Sequence, residues 1–229
     1  MLLRSRWTPL IRLESHKPPR CFVLAALLAS LLLPGTAVAA TITASVAPFT
    51  GNPLSVILEI DDAADPGNLV ITLSVDGGGN IGDLRGLFLN VADESLLAGL
   101  SVSGSAITAS EFSANAVINL GGGNNLNGGG TPCPCDIGLG IGSPGIGSDD
   151  FQSITFTLSH DTDDLDLSLF IGQTFGVRAT SVGDVAGSRE ASSKLIGVVP
   201  EPSTALLLLI GLSGLATVRG SERSERRIR

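Results

Sequence analysis

The chain has 229 residues, which is enough for one domain with signals at its ends, and its formal net charge is −8. Its basic residues are concentrated at the two ends. The segment from 41 to 202 therefore holds four basic residues against 19 acidic ones, a net charge of −15. This balance excludes a nucleic-acid partner, because binding to a phosphate backbone needs a positively charged surface.

The first 40 residues have the three parts of a secretory signal peptide. A basic stretch precedes an apolar run at 21–33, and Pro34 then breaks the helix. Residues 37–39 supply the small-x-small pattern that signal peptidase recognises. We expect cleavage after Ala39 or Ala40, and hence export across the inner membrane.

Alternating apolar residues predict antiparallel strands through residues 41–197, which we interpret as the exported domain. The clearest examples are 55–60 and 69–75, separated by a polar turn. Further strands are predicted at 87–91, 100–107, 116–120, 136–141, 154–158, 165–169, 175–182 and 194–199. Each strand has an apolar face that needs a second apolar layer. We therefore predict an all-β, antiparallel two-sheet sandwich, jelly-roll or Ig-like, flanked by an N-terminal signal helix and a C-terminal transmembrane helix.

A long surface loop is predicted from 121 to 148, where Gly, Asn and Pro dominate. It contains Cys133 and Cys135, the two cysteines of the exported domain. In an oxidising compartment they could form a small disulfide with each other or pair with another chain, and a reactive redox pair is a third reading.

Four aspartates fall within six residues of the predicted turn after strand 154–158. Carboxylate oxygens in flexible loops are the ligands that Ca²⁺ uses, so this cluster is a candidate calcium site. Solvated turn residues are the alternative reading. The candidate ligands are Asp161, Asp163, Asp164 and Asp166.

An enzymatic role is not expected. A Ser-His-Asp triad needs a histidine, and His160 is the only one in the exported domain. The exported domain also lacks Tyr and Trp, the platforms on which many proteins stack sugar rings.

The C-terminal end combines a helix-breaking mark, an apolar stretch and a basic tail. The mark consists of Pro200, Glu201 and Pro202, and its prolines keep the backbone extended and accessible. The uncharged stretch at 203–218 is somewhat short for a permanent span, and the arginines after it should stay in the cytoplasm. The stretch includes Ser203, Leu206, Leu209, Leu212 and Val218; the tail includes Arg219, Arg223, Arg226, Arg227 and Arg229.

Residues 198–229 resemble the sorting signal of PEP-CTERM proteins. The resemblance implies recognition by an exosortase, an integral-membrane cysteine protease or transpeptidase that cuts near the Pro-Glu-Pro mark. Three phrases of the exported domain are also similar to modules of secreted bacterial surface proteins, with no implied activity: 82–86, 175–178 and 192–195.

These features together predict a secreted, non-enzymatic protein of the cell surface, exopolysaccharide or biofilm matrix. Its precursor would be held in the inner membrane, with signal peptidase and exosortase as processing partners. The alternative is a calcium-dependent binding module for glycans or proteins at the cell surface.

Overall fold

The computed structural model describes residues 41–128 and 133–201, in which ten strands are joined mostly by polar turns. Two short 3₁₀ helices, Glu94–Gly99 and Leu167–Leu169, interrupt the strands. The strands are β1 Thr41–Gly51, β2 Val56–Asp61, β3 Leu69–Val75, β4 Ile81–Leu89, β5 Leu100–Ser103, β6 Ile107–Val117, β7 Cys135–Ile141, β8 Ser153–His160, β9 Thr174–Gly183 and β10 Ala191–Val198.

All the strand pairs of the described residues are antiparallel, which confirms the all-β, antiparallel part of the prediction. They form one ten-stranded sheet in the order β5-β8-β3-β2-β1-β10-β9-β4-β7-β6. The predicted terminal helices lie outside the described residues.

Strand β1 joins the two parts of this sheet. Its first half pairs with β2, up to Val46 opposite Val56, and its second half pairs with β10, from Ala47 opposite Ile196. The pairing with β10 shifts register after Pro48. Proline has no backbone N–H to donate, so an irregularity in the ladder at this position is expected.

The strands of the β5-to-β1 part follow the pattern that the sequence predicts. In β2 and β3 every second residue is buried, including Leu58 and Ile71, which are fully inaccessible to solvent. Each such side chain contributes roughly 1.5–3 kcal/mol through burial. Leu87 and Val177 from the other part of the sheet belong to the same buried core.

Strands β4 and β7 are buried along almost their whole length rather than on alternate residues. A second apolar cluster explains this pattern. Phe88 on β4 points away from the main core and packs with Leu126 of the glycine-rich loop, which covers this outer face together with Val117, Cys133 and Cys135. Part of the predicted surface loop therefore covers the outer face of the sheet.

Several predicted elements differ from the observed ones. Strand β1 was not among the predicted strands, and residues 82–86 lie within β4 rather than before it. The predicted strand 100–107 contains β5, which ends at Ser103. The predicted strand 116–120 overlaps only the end of β6; the rest of β6 was missed because most of its residues are exposed and give no apolar alternation. Residues 165–169 are not a strand. Leu165, Leu167 and Leu169 are buried as expected, but Asp166 begins a short 3₁₀ helix there.

Candidate functional site

The folded body ends directly before the predicted sorting mark. Val199, just after β10, is buried, and its N–H donates to the Gln173 carbonyl at 2.9 Å. The Val199 carbonyl accepts from the Gly172 N–H, also at 2.9 Å. Pro200 and Glu201 are exposed. The mark therefore begins directly after Val199, the last buried residue of the described chain.

The other predicted residues of the two terminal signals lie outside the described residues. They comprise the signal peptide at 1–40, Pro202, the membrane stop with Ser203, Leu206, Leu209, Leu212 and Val218, and the tail with Arg219, Arg223, Arg226, Arg227 and Arg229. Within the described ranges, no helix combines the length and apolar character needed to cross a membrane.

Three of the four aspartates of the candidate calcium site have separate local contacts. Asp166 accepts from the Ser168 N–H at 2.7 Å and caps the second 3₁₀ helix. Asp163 accepts from the Thr162 hydroxyl at 2.7 Å. A Cβ at Gly67 would lie 2.7 Å from the Asp164 carboxylate, so Asp164 packs against the turn between β2 and β3.

His160 is bound to the same turn. Its Nδ1 accepts from the backbone N–H groups of Thr162 and Asp163, at 3.2 and 3.0 Å. The Asp163 carboxylate lies 3.2 Å from the same Nδ1. Across the described part of the chain, no three His, Cys, Asp or Glu side chains could hold a metal ion together. Calcium binding by Asp161, Asp163, Asp164 and Asp166 stays a prediction.

The three phrases singled out in the sequence lie on adjacent strands. They fall on β4, β9 and β10, which are neighbours in the sheet. Arg178 on β9 is paired with Gly86 on one side and with Lys194 on the other. Three of the four basic residues of the body, Arg85, Arg178 and Lys194, therefore lie within one small area.

A loop residue fixes the geometry of this area. Asn124, which is 8% exposed, donates from Nδ2 to the Arg85 carbonyl at 2.7 Å. It lies so close to Gly86 that a Cβ there would be 2.1 Å from Asn124 Oδ1. Glycine at position 86 is therefore what lets the loop approach the sheet.

The two arginines bind backbone carbonyls rather than carboxylates. Arg178 donates from Nε to Gly123 at 3.3 Å and from Nη1 to Ala179 and Ser193 at 3.1 and 3.2 Å. Arg85 donates from Nη1 to the Ile141 carbonyl. Lys194 donates to the side chain of Asn125 at 2.8 Å and to the Asn127 carbonyl.

No acidic partner forms an ion pair with these three cations among the described residues, whereas Arg189 pairs with Asp150 at 2.6 Å. Burial lowers the pKa of Arg178. Burial and then the nearby charge of Arg178 lower the pKa of Lys194. In both groups the main cause is partial removal of the charge from water.

A cavity of about 140 Å³ opens between the arginines and the glycine-rich loop. Its lining includes both arginines and three glycines with positive φ, beside which the space is open. The lining residues are Arg85, Gly122, Gly123, Asn124, Pro144, Gly145, Arg178, Thr180 and Ser181.

Asp83 is the carboxylate beside this area, and it is completely buried. It accepts from the Phe151 N–H at 3.0 Å and from the Thr180 hydroxyl at 3.4 Å. Burial raises its pKa, against the opposing effects of the Phe151 hydrogen bond and the Arg85 charge. Asp83 thus joins β4, β9 and the loop before β8.

Sequence reasoning missed two polar residues that organise this part of the structure. Asn124 was one polar residue among many in a glycine-rich loop. Asp136, which is 2% exposed, accepts from the Val91 and Asn115 N–H groups at 2.9 and 2.7 Å. An acidic residue inside an apolar strand was the available signal, because such a residue is rarely buried without partners.

Cys133 and Cys135 form a disulfide with each other. Both are buried beside Phe88 in the outer apolar cluster. The sequence left open a disulfide within the chain or one with another chain, and the structure has the one within the chain.

Comparisons with known proteins find no relative with which this site can be compared. No protein-family model, no curated protein and no solved structure matches the chain.

Proposed function

We propose that this chain is a secreted, non-enzymatic protein that an exosortase sorts to the cell surface or extracellular matrix. In this proposal signal peptidase removes the leader, the apolar stretch at 203–218 holds the precursor in the inner membrane, and the arginine tail stays cytoplasmic. Cleavage near Pro200, Glu201 and Pro202 then releases an acidic β domain, whose charge of −15 keeps it soluble.

The position of Val199 carries this proposal. Val199 is the last buried residue before the mark, and Pro200 and Glu201 are exposed. A protease needs an extended, accessible substrate backbone, and it should not have to unfold the domain to reach it. Cleavage after Val199 would leave the pairings of β10 with β1 and β9 intact.

We further infer that the two parts of the sheet on either side of β1 pack as the layers of a sandwich. Side chains from both parts contribute to one buried core, which supports this arrangement. A scaffold of this kind suits a structural or adhesive component of an exopolysaccharide or biofilm matrix, with the polysaccharide as its partner.

Replacing both prolines of the mark by alanine tests the proposal. We expect the double variant Pro200→Ala with Pro202→Ala to remain full-length in the inner membrane, because the mark can then continue the following helix. Pro66→Ala with Pro144→Ala is the matched control, since both prolines are exposed in turns. Equal release of the double variant and the control from the membrane would overturn the proposal.

A further inference from the structure

The charges of the body are distributed unevenly. The body carries 19 acidic residues and only four basic ones, yet Arg85, Arg178 and Lys194 lie together without a carboxylate partner within ion-pair distance in the described residues. The charge of Asp83 acts on Arg85, but no carboxylate acts in this way on Arg178 or Lys194 within the described residues. A partly buried cation without a counter-charge is unfavourable, so an anion bound here would be stabilised.

Hydrogen-bond donors remain available at this cluster. A guanidinium group has five N–H donors. Arg178 uses Nε and Nη1 on carbonyl oxygens, and Arg85 uses Nη1. Neither Nη2 has an acceptor in the part of the chain that the structure describes. Both arginines line the 140 Å³ cavity.

We propose that the cavity between Arg85 and Arg178 binds a single oxyanion group: a carboxylate, a sulfate or a phosphate. The fork of an arginine matches the paired oxygens of these groups. The carbonyl contacts of Nη1 fix both guanidinium groups before the ligand arrives, so little side-chain entropy is lost on binding. Gly122 and Gly123 have no side chain to obstruct the entrance.

The surroundings favour one isolated anionic group over a chain with a charge on every unit. The rest of the body is strongly acidic and would repel the neighbouring charges of a polyanion. Asp83, whose carboxylate interacts with the Arg85 charge, is completely buried and does not line the cavity. The ligand group is therefore a terminal or sparsely placed one.

Thermal melting of the full-length protein in a non-ionic detergent tests the proposal. The probes are sodium sulfate, sodium phosphate and sodium glucuronate, each at millimolar concentration and constant ionic strength. We expect at least one probe to raise Tm saturably, by roughly 3–6 °C at about ten times its dissociation constant. Polygalacturonate tests whether a polyanion binds, and we expect it to bind more weakly per carboxylate than glucuronate.

Two variants separate specific binding from general salt effects. Arg178→Gln removes the fork and should abolish the saturable shift, whereas Arg189→Gln, which affects an arginine outside the cavity, should retain it. If Arg178→Gln does not fold, Arg178→Lys keeps the charge and should weaken binding at least tenfold, because a lysine has no planar fork. An equal shift in wild type and in the Arg178 variant, or no saturable shift with any probe, would overturn the proposal.

Discussion

Asn124 lies directly against Gly86, and this contact attaches the glycine-rich loop to the outer face of the sheet. Asn124 Nδ2 donates to the Arg85 carbonyl at 2.7 Å, while the amide oxygen occupies the space that a side chain at position 86 would need. The candidate anion cavity depends on the same contact, because Asn124 and Arg85 both line it.

Gly86→Ala should therefore destabilise the protein. The new methyl group would lie 2.1 Å from Asn124 Oδ1, and the buried amide would have to move away from its carbonyl acceptor. We expect a loss of about 1–3 kcal/mol in the free energy of unfolding, measured by urea denaturation. Gly79→Ala is the control, because a Cβ there contacts nothing within 4 Å. Equal stability of the two variants would show that the loop does not pack on Gly86.

Asp136→Ala should destabilise the protein more than Gly86→Ala does. The Asp136 carboxylate accepts from the N–H groups of Val91 and Asn115, and both donors would lose their partner. We expect a loss of about 2–4 kcal/mol. Asp76→Ala, at an exposed position, serves as the control and should leave stability almost unchanged. A small effect of Asp136→Ala in the same denaturation assay would contradict the buried role of this carboxylate.

The two aspartates Asp83 and Asp150 should give opposite pH dependences. Burial raises the pKa of Asp83, so the stability it contributes is fully present below its unfolded value of 3.8 and is lost as pH rises through the folded pKa. The hydrogen bond from Arg189 lowers the pKa of Asp150, so its contribution is present above 3.8 and is lost as pH falls through the folded pKa.

Unfolding free energies measured across this acidic range separate the two effects. The stability of Asp83→Asn relative to wild type should increase as pH rises from 3.8. The stability of Asp150→Asn relative to wild type should increase as pH falls below 3.8. Parallel pH profiles for the two variants would mean that the environments of the two carboxylates are not those described.

Strand pairs with one solvated face could be predicted from the sequence because burial imposes a two-residue period. β2, β3 and β8 follow that rule. β4 and β7 do not, since the loop covers Phe88 on their outer face. Asp136 is buried as well and accepts from the N–H groups of Val91 and Asn115. The contact between Asn124 and Gly86 joins residues far apart in sequence, and no local pattern encodes it. The convergence of Arg85 and Arg178 likewise depends on strand order, which alternation does not specify.

The candidate calcium site, which stays a prediction, shows why a local pattern can have two readings. Clustered aspartates suit two different uses. Their carboxylate oxygens can accept hydrogen bonds from backbone N–H groups in a turn, and the same oxygens can bind a cation. Asp166 is a cap and Asp163 is bound within its turn, and the sequence alone did not distinguish these roles from ligation.

The C-terminus of the protein purified from its native cells tests the central claim most directly. Intact-mass spectrometry should find a chain that ends close to residues 199–202 in cells with an active exosortase, and one that extends to Arg229 when the exosortase gene is deleted. A chain that ends at Arg229 in both strains would contradict the account, because the apolar, arginine-ended segment would then be a permanent part of the protein.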